Sequence, residues 1–334
     1  MKTCLITGGL GYIGSHICIE LLSNNYNLII IDNLSNSQID KLENIKKFNK
    51  FNNQIFFFSI DLINLYELLN HIEKFIYQTN ISIDIIIHLA GLKAVSESID
   101  NPIKYYQNNL ISTLNLIKLM ELYGIKNIIF SSSSTVYGMG QVPYKENSIT
   151  GIGITNPYGR SKYIQEEILK DIGIANKDWN IIILRYFNPI AHFNMDFKEV
   201  PNGIPNNLFP YLLKVYDGKL DELSIYGSDY LTRDGTCSRD FIHVIDLANA
   251  HLICCENIIN KKIGLKIYNV GTGSDTTVLE LINAFEKVNG IKLKYKFVNR
   301  RQGDLESSYS NVDLIFEELG WIAKYSIEDC VKIN

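Results

Sequence analysis

Short runs of β-branched and apolar residues recur along the first half of the chain, at Cys4 to Thr7, Leu28 to Asp32, Ile55 to Ile60, Ile83 to Leu89, Asn127 to Ser131 and Ile181 to Arg185. Such runs, bounded by turn residues, are the pattern of strands buried on both faces. Helix-length segments separate them. The strongest are Gly11 to Ser23, Pro102 to Tyr123 and Tyr158 to Asp171, the second opened by Asn101-Pro102 as cap and first helical residue. This alternation predicts βαβ units and an α/β fold, a Rossmann-type parallel sheet with helices on both faces. After about Pro189 the pattern loosens. Pro201, Gly203, Pro205 and Pro210 break the chain into loops, and regular signals return at Val244 to Asn257, Lys266 to Val270 and Val278 to Val288. The expected organisation is a nucleotide-binding domain over 1–188 and a smaller mixed α/β substrate lobe over 189–334, with 240–260 packing back on the first domain.

Composition contributes mainly exclusions. The 334 residues carry 32 Lys and Arg against 36 Asp and Glu, interspersed, with a net charge of -4. That balance offers no basic face to nucleic acid or to an anionic membrane. The six cysteines form no CxxC pair and read as reduced cytoplasmic thiols, mostly packing. The apolar run after Lys2 is broken at Gly8 and Gly9, too early for a secretory leader, and no stretch approaches the roughly 18 apolar residues of a membrane span. The expectation is a soluble cytoplasmic protein. His16, His71, His88, His192, His243 and His251 show no ligand spacing, so no metal site is expected and most read as packing or capping residues.

Chemistry gathers at two places. Gly8, Gly11 and Gly14 have GxxGxxG spacing between the first strand and the first helix. Glycines there permit a tight turn and close backbone approach, while the helix N-terminus presents unpaired N–H groups to a pyrophosphate. Asp32, ending the second strand, is placed to accept hydrogen bonds from an adenosine ribose; a 2′-phosphate would meet like charge, which favours NAD over NADP. The second place is Tyr158-Gly159-Arg160-Ser161-Lys162, preceded by the serine-rich strand end Ser131 to Ser134. YxxxK puts both side chains on one helix face. Lowering a tyrosine from about 10 to about 7 takes roughly 4 kcal/mol, comparable to one positive charge at about 4 Å in an effective dielectric near 20. Lys162 and a nicotinamide cation are the expected sources. Any one signal has an ordinary structural reading, as a turn, a cap or an exposed helical turn, but their joint order argues for a site.

The stretches TGGLGYIGSH, IIHLAGLKAVSES, FSSSSTVYG, NPYGRSK, LRYFNP, GIPNNLFPY, DGTCSRDFIHVIDLA and RRQGDL resemble the extended short-chain dehydrogenase/reductase family over nearly the whole chain, on its nucleotide-sugar 4-epimerase branch. The resemblance implies bound NAD, a UDP-hexose substrate and inversion at carbon 4 through a 4-keto sugar, interconverting UDP-galactose and UDP-glucose. It makes Tyr158 the base for the 4-hydroxyl proton, Lys162 a ligand of the nicotinamide ribose, and Ser133 a partner of the same sugar oxygen. It assigns NAD contacts to Tyr12, Ile13, Asn33, Asn36, Ser37, Asp61, Leu62, Leu89, Ala90, Gly91, Lys93, Asn108 and Phe187. For the sugar nucleotide it points to Asn188, Asn207, Leu208, Tyr226, Arg239, Arg301 and Asp304. Arginines bind phosphate oxygens bidentately, and Asp304 can accept from a ribose hydroxyl.

Two departures from the family pattern matter. The segment Ile190 to Val200 is about one residue short, which puts the loop geometry in question. Ser308 is small where some relatives confined to glucose and galactose carry tyrosine, so the resemblance implies room for an N-acetyl group and interconversion of UDP-GalNAc and UDP-GlcNAc as well. A 4,6-dehydratase would need an acidic pair where Ser134 and Thr135 stand. A UDP-glucuronate 4-epimerase competes with this reading on the same scaffold, and a catalytically silent NAD-sensing protein competes from a different class, though the latter typically lacks the Tyr158 or Lys162 counterpart. Relatives usually form homodimers through the helices at Pro102 to Tyr123 and Tyr158 to Asp171.

Overall fold

The computed structural model describes residues 1–50, 54–199, 205, 207–301 and 303–333. Its first half alternates as the sequence pattern predicts: β1 (Lys2–Thr7), α1 (Tyr12–Ser23), β2 (Tyr26–Ile31), α2 (Asp40–Lys46), β3 (Ile55–Phe58), α3 (Leu65–Thr79), β4 (Ile85–His88), α4 (Val95–Asp100), α5 (Pro102–Leu122), β5 (Asn127–Ser133), α6 (Pro157–Ala175) and β6 (Asn180–Tyr186). Successive strand residues face opposite sides of the sheet. Cys4, Ile6, Ile30 and Ile87 therefore join a core shared with α1, whereas Leu5, Ile29, Ile86 and Phe130 join one shared with α3 and α5. This is why runs of isoleucine, rather than alternating ones, build the sheet.

The second half adds β7 (Asn188–Ile190), α7 (Leu208–Tyr216), β8 (Leu223–Tyr226), β9 (Ser238–Arg239), β10 (Phe241–His243), α8 (Val244–Asn260), β11 (Leu265–Val270), β12 (Thr276–Thr277), α9 (Val278–Asn289), β13 (Tyr295–Val298), β14 (Ser307–Ser308), α10 (Asp313–Leu319) and α11 (Ile327–Cys330). Helix α8 packs against α1 in the first core, and Leu247, Ala250 and Cys254 are fully buried there. Strand β11, expected in the second lobe, pairs in parallel with β6. The main sheet therefore has seven parallel strands in the order β11-β6-β5-β4-β1-β2-β3. A separate core, with Phe209, Leu213, Ile225, Leu281 and Phe285, holds α7, β8 and α9 together.

Local sequence explains the helix boundaries. Pro157 occupies the first position of α6, and the Asn156 side chain accepts from Gly159 N at 2.8 Å. Helix α9 starts with a Thr277/Glu280 capping box and ends at Gly290, whose φ of +64° suits the left-handed cap. Asn101 does cap α5 by position, but its side chain makes no cap bond. Pro210, expected to mark a loop, is the third residue of α7. The first turn of a helix needs no N–H from it, so proline is accommodated. The expected breaks at Pro201 and Gly203, and the end of the shortened segment at Val200, lie outside the described residues.

Candidate active site

In the sheet order the direction of winding reverses between β1 and β4, so a crevice opens beyond the carboxyl ends of these strands. The glycine turn follows β1 there. Gly8 adopts φ +68°, and its carbonyl accepts from Gly11 N at 3.1 Å. A Cβ on Gly14 would lie 2.2 Å from Gly8 O and 2.7 Å from Gly9 Cα, both backbone atoms, so only glycine permits this helix-to-turn approach. A Cβ on Gly11 would meet only Gly8 O, at 3.1 Å. The turn is thus bare over the start of α1, which has no side-chain cap and no acid in its first turn, where Tyr12, Ile13 and Gly14 present their amides. These features fit a dinucleotide pyrophosphate.

Asp32, just past β2, is 5 % exposed. Its carboxylate accepts from Leu10 N at 3.0 Å, Leu34 N at 2.9 Å and the Ser37 hydroxyl at 2.7 Å. Three of its roughly four acceptor positions are therefore taken within the protein, leaving one for a ribose hydroxyl. Asn33 donates to Asp61 at 3.1 Å, joining the loops after β2 and β3, while Asn36 is exposed on the rim. Leu62 is buried, and Asn115 holds its carbonyl at 2.9 Å. After β4, the amides of Leu89 and Ala90 both donate to the Thr7 hydroxyl at 3.2 Å. Gly91 packs against Asn109, and Asn108 is half-buried beside it. Tyr12 spends its hydroxyl inward, donating to Ala191 O at 2.6 Å, and Ala191 is held at φ +69°.

Ser133 ends β5 and Tyr158 sits in the first turn of α6, so the same crevice receives both. Burial pushes the Tyr158 phenol above its ordinary value, while a hydrogen bond with Ser133 and the positive charge of Lys93 act in the opposite direction. Lys93 is itself paired with Glu199 at 2.5 Å. Lys162 is the charge that the helical spacing assigns to the phenol. Instead its ammonium donates to Ser131 O at 2.6 Å and lies 4.7 Å from the Phe130 ring centroid. Burial pushes it down to about 7, with Glu166 pulling the other way.

The second half of the chain contributes a cluster of its own. Strand β14 pairs with β9, which sets buried Ser308 opposite Arg239. One Arg239 nitrogen donates to Ser238 O at 2.7 Å and Leu305 O at 2.8 Å, and another lies 3.6 Å from Asp304. The Arg301 guanidinium covers the Tyr226 ring at 4.3 Å. Asn188 starts β7 and donates its amide to Asp240 O at 2.9 Å; Phe187 precedes it, buried. Asn207 is exposed at the cap of α7, with Leu208 beginning that helix.

The sequence signature of the NAD dependent epimerase/dehydratase family matches residues 4–271. The chain belongs to that family. It is 45% identical over 327 residues to the UDP-glucose 4-epimerase of Bacillus subtilis (strain 168), covering 97% of this chain and 93% of that one. To the UDP-glucose 4-epimerase of Pasteurella multocida (strain Pm70) it is 47% identical over 330 residues, covering 98% and 95%. Its fold superposes with a TM-score of 0.92 on the crystal structure of UDP-glucose 4-epimerase from Bifidobacterium longum in complex with NAD+ and UDP, at 44% identity over 99% of this chain and 96% of that one.

Two polar centres of this family member are given no role by sequence reasoning, although Asp240 and Arg185 lie within the stretches DGTCSRDFIHVIDLA and LRYFNP. Asp240, fully buried between β9 and β10, accepts from Thr272 N and Oγ1 (2.7 Å each), Gly273 N (3.1 Å), Ser310 N (3.2 Å) and Ser310 Oγ (2.5 Å). On α6, Glu166 forms a bidentate pair with Arg185 of β6, at 3.0 Å to Nε and 2.7 Å to Nη2. The four-residue step from Lys162 to Glu166 is a signal visible in the chain; the partners, distant in sequence, are not.

Proposed function

We infer that this protein interconverts UDP-galactose and UDP-glucose by inverting carbon 4 of the hexose. The observation that carries this reading is the meeting of Tyr158 and Ser133 in the crevice that also receives the glycine turn and Asp32. The chemistry NAD supplies when bound is reversible hydride acceptance at carbon 4. Gly8, Gly11, Gly14, Tyr12, Ile13 and Asp32 would hold its adenosine diphosphate half. The loop residues Asn33, Asn36, Ser37, Asp61, Leu62, Leu89, Ala90, Gly91, Lys93, Asn108 and Phe187, with Lys162, would enclose the rest.

Tyr158 takes the 4-hydroxyl proton and returns it, and Ser133 fixes the same oxygen. Tyr158 starts above its ordinary range because of burial, so positive charge near the phenol is what makes its proton available. Arg239 and Arg301 bind the diphosphate, Asp304 a ribose hydroxyl, and Asn188, Asn207, Leu208 and Tyr226 line the uridine and sugar path. Buried, small Ser308 leaves room for an acetamido group, which supports UDP-GalNAc and UDP-GlcNAc as further substrates.

Exposed Ile103, Ile111 and Leu114 on α5, which packs beside α6, support a homodimer through that pair of helices. Six buried thiols support the reducing cytoplasm as its compartment. Among the described residues no helix is long and apolar enough to cross a membrane. The deciding experiment is NMR of UDP-galactose with the purified protein and no added NAD. Turnover is expected, with a loss of about 100- to 10,000-fold in Tyr158→Phe while its NAD content is retained. A parent protein that binds NAD and leaves UDP-galactose unchanged would overturn the reading.

A further inference from the structure

Glu166 lies one helical turn beyond Lys162 on α6 and is fully buried, as is Arg185 on β6, only 1 % exposed. A buried ion pair is weak evidence of stabilisation, because desolvation offsets much of the attraction. This one has connections that a packing role does not require. Oε1 of Glu166 also accepts from the Ser132 hydroxyl at 2.5 Å, and Ser132 stands between Ser131, whose carbonyl receives the Lys162 ammonium, and Ser133. Arg185 continues outward to Tyr137 Oη and Glu146 O, both at 3.0 Å, and Tyr137 donates to Asn269 at 2.6 Å.

We propose that Glu166, backed by Arg185, is a positioning residue for the reaction: it supplies the negative charge that faces Lys162 and, through Ser132, locks α6 to the strand end that carries Ser133. This rests on the carbon-4 epimerase reading for its kinetic consequence, though not for its electrostatic one.

Among the described residues, the groups around Lys162 make Glu166 the opposing charge. From β5 it meets a carbonyl and the Phe130 ring, both without net charge. On β4, His88 is pushed down to about 3 by burial, with Lys162 adding to the effect, so it stays neutral. From α5 the neighbours of this part of α6 are Asn109 and Thr113, bonded to Ser161 and Gln165. Glu166 itself also faces two cations, Lys170 at 3.6 Å and Arg185 at 2.7 Å. Removing the carboxylate therefore leaves the buried Lys162 ammonium without the charge that opposes it, and that form becomes harder to keep.

Glu166→Gln should move the Lys162 titration and the basic limb of the kcat–pH profile down by about one to two pH units, the size of one charge at helical-turn distance in a partly screened interior. The Lys162 midpoint is read by NMR on 13Cε-lysine-labelled holoenzyme, with the resonance assigned by its loss in Lys162→Met. Glu166→Asp should restore the limb with reduced kcat, and Ser132→Ala should lower kcat without moving the limb. Because Glu166→Gln strands a buried guanidinium, Glu166→Gln/Arg185→Gln is the companion variant, expected to shift less but in the same direction. An unmoved Lys162 midpoint in whichever of these two variants folds overturns the proposal. A downward shift in a protein that leaves UDP-galactose unchanged would sustain the electrostatic role and remove the epimerase reading.

Discussion

Asp240 gives the sharpest test of what holds β9 and β10 to the segments that follow β11 and β14. Replacing it with Asn preserves shape and removes one acceptor oxygen. If the amide nitrogen takes the Oδ2 place, the amides of Gly273 and Ser310 lose their acceptor; if it flips, the Thr272 amide loses it. At least one buried N–H is orphaned in either orientation, at about 1–3 kcal/mol. The surviving bonds also fall from charge-assisted to neutral, while relief of carboxylate burial, which holds Asp240 above the usual aspartate range, returns part of the loss. The net expectation is about 2–4 kcal/mol, a large share of a typical domain's stability. Urea unfolding measures it, with the slope m unchanged. The Asp240 carbonyl also accepts from Asn188 N, its amide donates to Ser308 O at 3.0 Å, and Arg239 is its neighbour, so KM for the UDP-sugar should rise with the instability. A stability within about 0.5 kcal/mol of the parent, the range of ordinary surface changes, would refute the reasoning.

Other outcomes follow from the same geometry. Gly14→Ala forces a methyl onto Gly8 O and Gly9 Cα, so NAD retained after purification should fall by about tenfold or more, matching overpacking strain of about 1–3 kcal/mol; full NAD content by chromatography of the denatured protein would contradict it. Ser308→Tyr should abolish UDP-GalNAc turnover and spare UDP-galactose, and equal loss of both would defeat the steric argument. Glu280 is drawn down to about 2 chiefly by its hydrogen bonding with Arg233. Its lowered value means the stabilisation is present above pH 4.5 and lost as pH falls through 2, so Arg233→Gln should flatten the acid fall in melting temperature over that window. An unchanged acid slope would remove that contribution.

The parts legible in the sequence are those with a local period or a local shape requirement. Six strands of the main sheet announce themselves as apolar runs, and the glycine turn and YxxxK pair are confined to a few consecutive residues. Where meaning depends on a distant partner, the chain is silent. Lys266 to Val270 reads as a strand, yet nothing in it says that it joins β6 instead of the second lobe. β9, β12 and β14 have two residues each, too few to show alternation, though their pairing sets Arg239 beside Ser308. The Tyr158 and Lys162 spacing puts both side chains on one helix face; it does not reveal that the Lys162 ammonium donates to the Ser131 carbonyl, or that Lys93 stands near enough to the phenol to act on it.

The late arrival of β11 has a consequence for how the molecule is made. A nascent chain that has emerged only as far as residue 188 carries β6 as a naked edge, with Ile181 to Tyr186 paired to β5 on one side and lacking β11 on the other, and α1 without the helix that covers it. Such an edge can template pairing with another chain. Truncating at that boundary should therefore give an aggregating fragment. The main sheet is complete only after the ribosome has released Leu265 to Val270.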